Sequence, residues 1–188
     1  MRLFVGIDLP EALREQLGQL IGRLRPLAAV RWSRAENLHI TTKFIGEWPD
    51  ARLDEMKQAL RGIAGPAPFE IALNGLGWFP NPHQPRILWI GVAAPPDLAA
   101  LAAETETVVE RLGVPRENRP FSPHLTLARL DGIERQELIA LRQEVAQIDS
   151  AAFGAFTAES FHLYLSKTGP GGSQYTKLAT YPLGVSSK

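Results

Sequence analysis

The sequence predicts an α+β protein, and three observations carry that prediction. Hydrophobic periodicity switches repeatedly between two and three-to-four residues along the whole chain. The pattern yields about eight strands and four helices without the strict strand–helix alternation of a parallel α/β sheet. No linker or low-complexity stretch divides the 188 residues, a length that suits one domain, or two small lobes sharing a fold.

The elements follow in order. Residues 2–9 (RLFVGIDL) read as a strand. Pro10 opens a helix whose Leu13, Leu17, Leu20, Ile21 and Leu24 form one stripe, and Pro26 ends it. Strands are predicted near 29–33 and 38–46, then a helix with Leu53, Met56, Leu60 and Ile63 on one face. Residues 69–78 and 86–94 read as strands around a Pro/Asn turn, FPNPHQP. Pro95 and Pro96 precede a third helix carrying Leu98, Leu101, Val108, Val109 and Leu112, and a strand follows at 123–130. A fourth helix presents Leu138, Leu141, Val145 and Ile148. The end reads as two long strands, about 153–167 and 174–183, joined by TGPGGS. Trp32, Trp78 and Trp89 fall in strands and are expected in the core.

Composition removes whole classes of chemistry. There is no cysteine, which excludes a disulfide scaffold, a thiolate zinc site, an iron–sulfur cluster and a cysteine nucleophile. Twenty basic residues balance twenty acidic ones, so bulk coating of nucleic acid is not expected, although a local patch can still grip one short end with a shallow salt dependence. The start, MRLFVGIDLPEALREQL, lacks the apolar core of a signal peptide, and no stretch reaches the ~18 apolar residues of a membrane span. The expected location is the cytosol, with no membrane partner.

A short internal echo carries the chemistry. LHITTKFIG and PHLTLARLD are both strand-like and both contain His-x-Thr, with His39 and His124 85 residues apart. Such an echo predicts two related halves facing each other. In a strand, residues two apart share a face, so His39 pairs with Thr41 and His124 with Thr126, opposite the apolar positions. A single such pair is ordinary on a half-buried strand; two that converge on one cleft make an acid–base pair. With an unperturbed pKa of about 6.5, one imidazole can be neutral and take a proton while the other gives one. Threonine hydroxyls can donate to phosphoryl oxygens as charge builds. This suits a 2′,3′-cyclic phosphate, which only RNA can form. Neither histidine has a neighbour at ligand spacing, so a metal site fits poorly, and no cofactor is expected.

LHITTKFIGE and RPFSPHLTLAR resemble the two signature segments of the 2H phosphoesterase superfamily, most closely its bacterial and archaeal RNA 2′,3′-cyclic phosphodiesterases, also described as 2′-5′ RNA ligases. The likeness extends to the opening strand RLFVGIDLP and the terminal GGSQYTKLATYPL. It implies a bilobal fold of two pseudo-symmetric antiparallel sheets lining a central cleft, with helices outside. It implies His39 as proton donor, His124 as proton acceptor, and Thr41 and Thr126 as phosphate-holding residues, so that water opens the ring to a 2′-phosphomonoester and the reverse reaction gives a 2′-5′ linkage. Arg129 matches an arginine that contacts the phosphate, and Phe44 an aromatic near the nucleotide. Both stand five residues after a motif histidine, and odd spacing places them on the opposite face unless a bulge re-aims them. HITT has Thr42 where the family usually has leucine.

Weaker candidates complete the reading. By alternation Lys43 shares the His39 face, which makes it a phosphate-contact candidate. Arg116 and Arg119 precede the second motif and are candidates for a local positive patch. Ser173 and Tyr175 follow the TGPGGS loop and are candidates to border the cleft. His83, in a loop, and His162, in a strand, read as solvated or structural. The substrate expected is an RNA 3′ end carrying a 2′,3′-cyclic phosphate, acted on by a monomer. A small cyclic nucleotide at the same site, or a non-catalytic RNA- or nucleotide-binding module, stays open at this level.

Overall fold

Alternating apolar residues make the strands, and two proline-opened helices interrupt them. In the computed structural model, which describes residues 1–169 and 172–184, the order is β1 (Arg2–Asp8), α1 (Glu11–Leu24), β2 (Arg31–Trp32), β3 (His39–Glu47), α2 (Leu53–Arg61), β4 (Phe69–Phe79), β5 (Ile87–Ala93), α3 (Pro96–Glu110), β6 (His124–Arg129), α4 (Arg135–Gln147), β7 (Gly154–Ala158), β8 (Ser160–Gly169) and β9 (Gly172–Pro182). Pro170 and Gly171 of the predicted TGPGGS connection lie outside the described residues.

The strands form two antiparallel sheets. The first has the order β3-β1-β8-β9 and the second β2-β6-β5-β4-β7. The long strand expected over 153–167 is a correction: it breaks at Glu159, with β7 joining β4 in the second sheet and β8 joining β1 in the first. The predicted halves are likewise interleaved. The first sheet takes its strands from both ends of the chain and the second from the middle.

Each sheet buries one face. Leu3, Val5 and Ile7 of β1, Ile71 and Leu73 of β4, Leu88 and Ile90 of β5, and Leu125 and Leu127 of β6 are all buried, each worth about 1.5–3 kcal/mol against exposure. The helices cover these faces. In α1, Leu13, Leu17, Ile21 and Leu24 are buried at helical spacing, with Leu13 against Gly154 of β7 and Arg23 paired to Glu144 of α4. Glu134 and Glu137 close a capping box at the start of α4. On the first sheet, α3 packs against β3, and the Lys57 carbonyl of α2 accepts from the Tyr181 hydroxyl of β9. So α1 leaves the first sheet to pack on the second, and α3 does the reverse. The sheets approach each other along β3 and β6, the two strands that carry the His-x-Thr pairs.

Candidate active site

The two motif strands have the same local build. From the histidine onward, each runs half-buried, buried, half-buried, buried, buried, exposed. Register explains it. Gly6 faces Thr41 and Val5 faces Lys43, leaving Thr42 as an extra residue; Trp89 faces Thr126 and Leu88 faces Ala128, leaving Leu127 as the extra residue. A bulge of this kind resets which face the following side chains take. Phe44 therefore returns to the His39 face, where its ring lies 6.2 Å from Phe4. Arg129 returns to the Thr126 face, opposite Ile87.

The histidines are anchored alike. His39 Nδ1 donates to the Asn37 carbonyl at 2.6 Å, and His124 Nδ1 donates to the Ser122 carbonyl at 2.8 Å. A carbonyl only accepts, so each Nδ1 carries the proton and each Nε2 is left for chemistry. His39 Nε2 lies 2.9 Å from Thr41 Oγ1. Asn37 is itself held, its side-chain amide donating to the Ser173 carbonyl at 2.6 Å. That bond ties the start of β9 to the turn that leads into β3.

As a result His39 is walled by rings. Phe4 lies 4.6 Å away and Tyr175 meets it edge-on at 5.1 Å, with Tyr164 at 6.1 Å. Gly6 leaves room for this packing: a Cβ there would sit 3.4 Å from the imidazole Cδ2 and 2.8 Å from the Ile40 carbonyl. Burial in this box pushes the His39 pKa below its ordinary 6.5; the Asn37 carbonyl and Asp8 oppose that, while His124 and Arg129 push it further down. The strands that carry the two histidines, β3 and β6, lie against each other where the two sheets meet. His124 has a lighter wall, Phe79 edge-on at 5.0 Å, with Trp89 tilted beside Phe79 at 4.9 Å.

A polar cluster adjoins His39 on the same sheet. Asp8 stands opposite it in the β1–β3 ladder and accepts from the Tyr164 hydroxyl and the Lys177 ammonium. Burial alone would raise the Asp8 carboxyl, but these two bonds outweigh it and hold the pKa below the ordinary value. Burial and Asp8 push the Tyr164 phenol well up. His162 is buried, bonded to Ser160 and Thr180, and pushed down to about 4 by burial, so it stays neutral. Sequence reading missed Asp8, Phe4, Tyr164, Phe79 and Trp89 as site neighbours. The signal was parity on β1, β4, β5 and β8, usable only once the strand pairing is known.

Three of the weaker candidates are corrected. Lys43 does not share the His39 face, because the Thr42 bulge turns it inward. It is 6% exposed, with Nζ 2.7 Å from Glu106 of α3 and 2.9 Å from the Pro115 carbonyl. Arg119 is largely in solvent and pairs with Glu117, and Arg116 pairs with Glu110; the expected positive patch is charge-balanced. Trp89 is corrected from core to the motif face, its ring covering Gly77, where a Cβ would fall 2.1 Å from the indole. Among the described residues, no three His, Asp or Glu side chains are grouped to hold a metal. None of the helices there is long and apolar enough to cross a membrane.

Fold and site together define a class: 2H-type phosphoesterases, in which each of two antiparallel sheets presents a histidine and a hydroxyl. A Thermus thermophilus protein of known crystal structure matches with TM-score 0.81 at 30% identity over 98% of both chains. Escherichia coli LigT complexed with 3′-AMP matches at 0.79 and 31%, over 97% of both. The RNA 2′,3′-cyclic phosphodiesterase of Archaeoglobus fulgidus is 32% identical over 181 residues, 96% of this chain and 99% of its own. That of Methanocaldococcus jannaschii is 33% identical over 175 residues, 93% and 96%. The LigT-like phosphoesterase family model matches residues 7–89 and 90–175. The chain belongs to the LigT-like phosphoesterase family.

Proposed function

We propose that this protein is an RNA 2′,3′-cyclic phosphodiesterase that opens the cyclic phosphate by two-histidine acid–base catalysis, without a metal. The observation that carries the reading is the matched anchoring of His39 and His124 through Nδ1, which turns an Nε2 to each motif face, that of His39 beside the Thr41 hydroxyl. His124 Nε2 takes a proton from water as the water oxygen bonds to phosphorus. The bond from phosphorus to O3′ breaks, and His39 Nε2 protonates O3′, leaving a 2′-phosphomonoester. Thr41, Thr126 and Arg129 hold the phosphoryl oxygens as charge builds, and Phe44 and Tyr175 flank the nucleotide. By microscopic reversibility a 5′-hydroxyl in place of water gives a 2′-5′ linkage. The enzyme works as a cytosolic monomer on RNA ends.

The test is turnover of a short RNA bearing a terminal 2′,3′-cyclic phosphate after exhaustive EDTA treatment. Undiminished conversion to the monoester is expected. Loss of activity restored by added divalent metal would overturn the metal-free mechanism, and no turnover under any condition would overturn the activity.

A further inference from the structure

The walls around His39 pose an electrostatic problem. A proton donor must hold a charge before it gives one up, yet this ring is packed against Phe4 and Tyr175, where a charged imidazole loses hydration. From β6, Arg129 adds positive charge that opposes protonation, and His124 does so once it has taken a proton. Tyr175 and Tyr164, from β9 and β8, bring no negative charge, and burial keeps the Tyr164 phenol protonated. On the turn before β3, Glu36 is spent on Arg34. His162 is neutral. Among the described residues that leaves one anion on the face of the ring and in its ladder pair: Asp8, whose backbone is the partner of His39, so the two side chains leave one face of the sheet about 5 Å apart at Cβ.

We propose that Asp8 is a positioning residue that raises the proton-carrying fraction of His39, and that Lys177 sets how much of the Asp8 charge His39 feels. The geometry of the cluster carries this. Asp8 is fixed from two sides, by the Tyr164 hydroxyl and by the Lys177 ammonium, so the carboxylate cannot swing away from its register position. Its remaining neighbour His162 stands 3.7 Å off and, being neutral, cannot quench it. Lys177 is the more exposed of the pair, at 40% against 30% for Asp8, so water screens its charge more than that of the carboxylate. An opposite charge at this range moves a pKa by one unit or more.

The proposal rests on His39 being the proton donor of the cyclic phosphodiesterase reaction. It is tested by following the His39 imidazole by NMR against pH, with the resonance assigned by its loss in His39→Gln, alongside kcat/KM profiles on the cyclic phosphate. Asp8→Asn should lower the His39 midpoint by about one pH unit. Its kcat/KM should fall about tenfold above neutral pH and converge on wild type as the pH drops, because only the protonated fraction of the donor is lost. Lys177→Met should move the midpoint and the alkaline activity the other way. A merely structural Asp8 would lower activity equally at every pH and leave the midpoint in place, and that result overturns the proposal. Should Asp8→Asn not fold, an unmoved or lowered midpoint in Lys177→Met is sufficient to overturn it. The NMR arm needs no turnover, so an inactive wild type would sink the activity while the midpoints still decide the Asp8–His39 coupling.

Discussion

Strands β3 and β6 share a burial pattern, a bulge and a histidine anchor, yet they place their imidazoles in different surroundings. The His39 ring sits in a box of Phe4, Tyr164 and Tyr175 with Asp8 beside it, and its hydroxyl partner Thr41 is already in reach. The His124 ring has Phe79 as its close aromatic neighbour. The same backbone device thus yields two groups of unequal character. One is packed among several rings, the setting the proposed mechanism gives to the proton donor. The other has a lighter wall, the setting it gives to the base that receives water. The fold supplies the symmetry, and the residues around each ring break it.

The largest way to break this comparison is to remove either imidazole. His39→Ala and His124→Ala should each lower kcat/KM on an RNA cyclic phosphate by about 10²–10⁴-fold, the size of a general acid or base contribution. Activity within tenfold of wild type in either variant would sink the paired mechanism. Next come the residues that the two bulges re-aim. Arg129→Ala should cost about 10²-fold, chiefly in kcat, because a cation on the phosphoryl oxygens matters most as charge builds. Phe44→Ala should cost about tenfold, chiefly in KM, since stacking on a base serves ground and transition states alike. The same kinetic signature in both would mean that the bulges do not separate their roles.

Smaller effects separate the bulge neighbours. Lys43→Met breaks a buried ion pair that also ties down the Pro115 carbonyl, so urea unfolding should show a loss of about 2–3 kcal/mol, the lower side of such pairs because Glu106 keeps some solvent. Activity of the folded variant should stay within about threefold of wild type; a loss near that of Arg129→Ala would restore Lys43 as a phosphate contact. At the bulge itself, Thr42 is buried with its hydroxyl unpartnered, whereas β6 has Leu127 there. Thr42→Val should therefore stabilise the protein by about 1 kcal/mol without altering kinetics. A destabilised variant would show that the hydroxyl has a partner.

What was legible in the sequence follows the same physics. Alternation found β1, β3, β5 and β6, and the spacing of Leu13, Leu17, Ile21 and Leu24 found α1, because burial on one face imposes those periods. The histidine–threonine pairs were legible because two-residue spacing survives up to the bulge. Beyond it, simple parity puts Lys43 on the site face and Phe44 off it, the reverse of what the structure has, since one extra residue inverts every later side chain. The break at Glu159 left no mark because a strand can leave one sheet for another with no glycine or proline to signal it. Asp8, Phe4 and Tyr164 were hidden for a further reason: they reach His39 across the sheet, through contacts such as that of Tyr164 with Asp8, 156 positions apart in the chain.

The most direct test of the two-histidine account is phosphorus NMR of a short RNA 2′,3′-cyclic phosphate incubated with the protein. The account predicts that the cyclic resonance gives way to a single 2′-phosphomonoester, with turnover lost in both His39→Ala and His124→Ala. A 3′-phosphate product, or a cyclic resonance that persists with the wild-type protein, would contradict it.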